Sequence, residues 1–159
     1  LYPVQMLNLI LILHSLLRWV AIAFGLVAIG RAAAGLTKTP ATWIESDAKF
    51  SRLFAISLDV QMLLGILMYL FFSTITTSAF QNMGEAMGNS VVRFWIVEHP
   101  TIMLVALVFA HIGVARARKM VNPNAKHRTT LIFLGISLAL ILIGTPWPGS
   151  PAERPLLPF

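Results

Sequence analysis

Four uninterrupted apolar stretches, at roughly 7–30, 53–75, 94–115 and 129–145, constrain this chain more than any other feature. Each has the ~17–24 residues that carry an α-helix across ~30 Å of hydrocarbon. Lipid offers the backbone no hydrogen-bond partner, so such segments satisfy their own polar groups as helices. The expected fold is therefore all-α: a four-transmembrane-helix bundle over residues 1–145, followed by a Pro-rich extended tail on the outer face over 146–159. Polar side chains inside the spans are costly, which makes His14, Arg18, Asp59, Gln61, Glu98 and His99 the informative ones.

Charge orients the bundle. Only 11% of the 159 residues are charged, and the net charge is +6. Arg31, Lys38, Lys49 and Arg52 flank the first connection, and Arg116, Arg118, Lys119, Lys126 and Arg128 the third; these are nine of the twelve basic residues. Arg93 and Arg154 fall on the other side. A basic excess marks the cytoplasmic face, so both termini are expected on the outer face. The same distribution explains the positive charge as a topology signal and an anionic-lipid contact, not as a nucleic-acid surface. One bundle uses nearly all the chain, leaving no second soluble domain. The first span lacks a basic segment before it and reads as a retained helix rather than a cleaved signal. The sequence opens on Leu1 rather than Met, which leaves the true start undecided.

There is no cysteine. Covalent c-type haem attachment, cysteine-held iron–sulfur clusters, thiolate zinc and disulfides are thereby excluded, and a redox centre here must be held by histidine. His14 is expected about 10 Å below the outer end of the first span and His99 about 8 Å below that of the third. Those two helices run parallel, and two histidines at matched depth are what bis-histidine ligation of a b-type haem requires. His111 and His127 form a second, weaker candidate pair near the inner surface, a level ~18 Å away. The competing reading makes each of them ordinary. His99 precedes Pro100 and fits an interfacial position, His127 sits between Lys126 and Arg128 as in a solvated cationic cluster, and His111 is a boundary histidine. Met62, Met68 and Met103 read as packing residues rather than copper ligands.

Arg18 and Asp59 are expected to meet. Counting along the helices puts them ~16 and ~21 Å below the outer surface, a difference a guanidinium side chain can span. Mutual neutralisation is the expected solution for two such charges. His14 and Arg18 share one helix face, and Glu98 offers another counter-charge near their level. With Gln61 these residues form either a register-setting polar core or a proton or quinone site. Between the spans, Met83, Glu85 and Met87 suggest a short surface helix, Val121–Asn124 a tight turn, and Trp147 an interfacial anchor.

His14-Ser15-x-x-Arg18-Trp19, Asp59-x-Gln61, Arg93-Phe94-x-x-x-Glu98-His99, Lys126-His127 and Pro146-Trp147-Pro148 together resemble a group of short four-helix bacterial integral membrane proteins known as cytochrome b-like. The resemblance covers nearly the whole chain. It implies a multi-pass protein of the bacterial inner membrane and haem b as cofactor, with no catalytic activity of its own. The expected function is that of a small subunit of a respiratory or photosynthetic electron-transfer complex, with lipid, sister subunits and quinone as partners. Two alternatives stay open: a cofactor-free accessory subunit, and a pigment-binding subunit in which one histidine, such as His14, ligates a chlorophyll.

Overall fold

The computed structural model describes residues 3–157; the opening Leu1 and the last tail residues, Pro158 and Phe159, lie outside them. Seven α-helices follow in order: α1 (Pro3–Leu36), α2 (Glu45–Leu67), α3 (Thr74–Gln81), α4 (Met83–Gly88), α5 (Ser90–Arg93), α6 (His99–Lys119) and α7 (Pro123–Gly144). Two π-helical turns, Met68–Phe72 and Phe94–Glu98, make α2 and α5–α6 longer than their regular parts. Four continuous helices, Gln5–Leu36, Glu45–Phe72, Ser90–Lys119 and Pro123–Gly144, are long and apolar enough to cross a membrane. They match the four apolar stretches, overrunning the first and third at both ends and the second and fourth at their N-terminal ends only. The 34 residues of α1 rise ~50 Å, well beyond the hydrocarbon thickness.

The bundle has a small interior and an apolar exterior. Ala21, Phe54, Ala110 and Leu134 are fully buried along its axis, while Leu26, Leu63, Leu104 and Ile143 are among many large apolar side chains left exposed on the outside. A soluble protein does not leave so much apolar surface uncovered, and lipid is the solvent that makes it favourable. The tightest seam joins α6 to α7. Ala106, Ala110, Gly113 and Ala117 line it at small-residue spacing, and a Cβ at Gly113 would meet Phe133 Cβ at 2.6 Å, so the backbones approach closely. Buried Ser137 donates its hydroxyl to the Ala106 carbonyl at 2.7 Å across this seam.

Capping residues set the helix starts. Pro123 opens α7 and the Asn122 side chain accepts from Ala125 N at 3.1 Å. At the start of α2, Asp47 reaches back to accept from Ile44 N at 2.9 Å. The expected surface helix is α4, and α3 precedes it. The tail contains no helix among the described residues, but it does not simply extend over the surface. Arg154 N donates to Pro146 O, Ala152 is buried, and Leu156 O lies against α1. The expected anchor Trp147 packs edge-on against Trp19, ring centroids 6.3 Å apart, and donates Nε1–H back to Leu142 O.

Candidate functional site: a histidine pair where four helices meet

The second π-turn positions His99. Pro100 has no N–H to offer the Ile96 carbonyl, and the Tyr69 hydroxyl donates to that carbonyl instead, at 2.8 Å. The His99 N–H bonds to Phe94 O, a five-residue step that rotates the following helix relative to the preceding one. The same step brings Arg93 and Glu98, five residues apart, into a 2.8 Å ion pair. Met68–Phe72 is the corresponding turn on α2, and the Thr76 hydroxyl donates to Tyr69 O there.

So oriented, the His99 ring lies 6.4 Å from the His14 ring, centroid to centroid, with 63° between their planes. His99 Nδ1–H donates to Gly144 O at 2.8 Å, which fixes the tautomer and leaves Nε2 with its lone pair. Gln61 Nε2 donates to the His14 carbonyl at 2.9 Å, and Gly65 lies beside the His14 ring. One residue or more from each of α1, α2, α6 and α7 thus converges on this level. Phe94 and Trp95 wall His99 at 5.8 and 5.6 Å between centroids. Three buried polar atoms here have no hydrogen-bond partner among the described residues: His14 Nδ1, Arg18 Nε and Gln61 Oε1. Orphaned polar atoms in a buried setting are costly, so a cluster of them marks a place where a ligand or water belongs.

The fit to a haem can be tested on these facts. Two imidazoles each holding one metal at ~2 Å would have ring centroids roughly 6 Å apart, and the His14–His99 spacing of 6.4 Å is of that size. No group of three or more His, Asp or Glu side chains converges among the described residues. Two donors suit a metal whose remaining positions are filled by a porphyrin, not a bare ion. His14 and His99 would be the residues to hold such a group, with Gly144 orienting one of them.

The other expected contacts are corrected. Arg18 does not pair with Asp59. The Asp59 carboxylate accepts from His111 Nε2 at 2.8 Å, on a face where both side chains are about half exposed (47% and 50%). Glu98 is held by Arg93 and gives Arg18 no counter-charge. His111 and His127 do not form a pair, because His111 faces α2 whereas His127 turns into the first connection. Nor is His127 solvated: it is 1% exposed, donates Nε2–H to Thr42 O at 3.0 Å and packs on Trp43. Beside it, Arg31, Gly35, Thr42 and Asp47 line a cavity of about 90 Å³. Arg31 offers Nε and Nη2 to Asp47 Oδ1, both at 2.9 Å. Sequence reasoning missed this pair, although an acidic residue in the first turn of α2, within a basic cluster, was its signal.

Comparison with protein-family models, curated proteins and solved structures gives no match to this chain.

Proposed function

We propose that this chain is a small integral subunit of a bacterial respiratory or photosynthetic electron-transfer complex, carrying a b-type haem between α1 and α6. The observation that carries the reading is the His14–His99 pair, 6.4 Å apart at the level where all four long helices meet. His14 and His99 would hold the iron; when bound, such a group takes up and releases single electrons. The protein's own residues supply orientation and exclusion of water. Gly144 fixes the His99 ring, Gln61 ties α2 to α1 at His14, and Phe94 and Trp95 close the surroundings with apolar rings. A cavity of about 320 Å³ next to this level, lined by Arg93, Phe94, Glu98, Thr145 and Trp147, has the aromatic walls and polar edge suited to a quinone head group. The basic ends of α1, α2, α6 and α7 face the cytoplasm in this reading, with both termini outside.

A reduced-minus-oxidised visible spectrum of the purified protein tests the proposal. A sharp low-spin α-band is expected, lost in His14→Ala and in His99→Ala and kept in His111→Ala and His127→Ala. A wild-type protein without any band would leave the cofactor-free accessory subunit, and a pigment band a single-histidine chlorophyll site.

A further inference from the structure

Among the described residues, Arg18 is a cation without an anion. It lies thirteen residues from Arg31 along α1, ~20 Å into the bundle from the basic end. An arginine at such depth normally pairs with a carboxylate or faces water. Both carboxylates near its level are taken, Asp59 by His111 and Glu98 by Arg93. Its guanidinium has a neutral carbonyl, Leu156 O at 2.9 Å from Nη2, and the Trp19 ring at 5.4 Å. Trp19 Nε1 donates to that same carbonyl at 3.0 Å, so the acceptor is shared. Nε is buried with no partner among the described residues.

The Nε edge, whose Nη2 also carries the Leu156 carbonyl, has a recognisable chemistry. A guanidinium grips a carboxylate side-on through Nε and the adjacent Nη, and Arg31 turns this edge, Nε and Nη2, to Asp47 in this protein. Arg18 stands four residues from His14, on the same helix face and one turn toward the basic end. A porphyrin of the haem b type carries two propionates on one edge, which are anions of the required kind. We propose that Arg18 is the anion-holding residue of the site and binds a propionate of the porphyrin through its Nε edge. The identity of the anion rests on the haem reading; the need for an anion does not. The other source of the same chemistry is the phosphate of an anionic lipid.

The test uses the full chain in nanodiscs, with iron-free protoporphyrin IX and its dimethyl ester as fluorescent probes and hemin as the ligated form. Without iron the probes report the propionate contact and not histidine ligation. The wild type is expected to bind the diacid about ten-fold or more tightly than the diester, the worth of one charge-assisted contact. Arg18→Gln should bind the two alike while keeping the low-spin hemin spectrum, and Arg18→Lys should keep part of the preference. Equal binding of diacid and diester by the wild type, or a preference surviving in Arg18→Gln, overturns the propionate contact. If hemin still gives its α-band, the haem reading stands alone. If neither probe nor hemin binds, the haem reading is the one that fails, and lipid decides the anion. A melting temperature raised by phosphatidylglycerol over phosphatidylcholine in the wild type but not in Arg18→Gln assigns the site to lipid phosphate. No such difference overturns the anion site altogether.

Discussion

His111 Nε2–H donates to Asp59 Oδ1 at 2.8 Å, and this contact takes Asp59 away from the arginine at matching depth. Both side chains are about half exposed at the α2–α6 surface within the spans, where the open side meets lipid, and the partner of the carboxylate is a histidine and not a fixed cation. Asp59→Ala leaves a histidine that can stay neutral, so it should cost about 1 kcal/mol, the worth of one hydrogen bond, against several for stranding a guanidinium. In a double-mutant cycle on thermal unfolding, Asp59→Ala should couple with His111→Ala and be additive with Arg18→Ala. Coupling to Arg18 instead of His111 would place the carboxylate on the other partner.

The buried pair is elsewhere. Asp47 is 6% exposed and serves three donors: Arg31 Nε, Arg31 Nη2 and the Ile44 N–H that starts α2. Removing the carboxylate leaves a guanidinium partly buried without its anion and a helix start without its acceptor. Asp47→Ala is expected to lose about 3 kcal/mol or more, clearly exceeding Asp59→Ala. Asp47→Asn should lose less, since its side-chain oxygen can still accept from Ile44 N. Melting temperatures of the three variants in one detergent give the order, and equal losses would contradict it.

The sequence made the long helices legible because span length is a local property, visible without knowing any neighbour. Matched depth also pointed to His14 and His99, which the fold brings together. Depth supplies height but not azimuth, and this is why counting along the helices brings Arg18 and Asp59 together although they stand apart in the bundle. His127 shows the same limit at closer range. Successive helical residues point ~100° apart, so Lys126 and Arg128 say nothing about the face that His127 occupies. The π-turns were not legible either, because Pro100 marks a missing donor but not where the chain will find a substitute.

The topology proposed from the charges is open to direct labelling. Val121 is 93% exposed in the connection between α6 and α7, beside the basic cluster, and Ser150 lies in the tail at the opposite end. A cysteine at Ser150 should react with an impermeant thiol reagent in intact cells, and one at Val121 only after lysis. The chain has no cysteine of its own, so each signal is unambiguous. The reverse pattern would invert the bundle.

Gly35 and Gly30, on the same helix, should respond in opposite directions to the same substitution. The His127 ring presses on Gly35 so closely that an added Cβ overlaps it, and the ring is fixed by Thr42 O on one side and Trp43 on another. Nothing lies within 4 Å of the Cβ position at Gly30. Replacing a helical glycine by alanine gains up to ~1 kcal/mol where there is room, so Gly30→Ala should be neutral or stabilising. At Gly35 the buried ring must move, and overpacking of this kind costs about 1–3 kcal/mol. Gly35→Ala should lower the melting temperature accordingly, and adding His127→Ala should return part of the loss by vacating the space. If Gly35→Ala melts no lower than Gly30→Ala, the first connection does not fold over α1 with His127 as its buried contact.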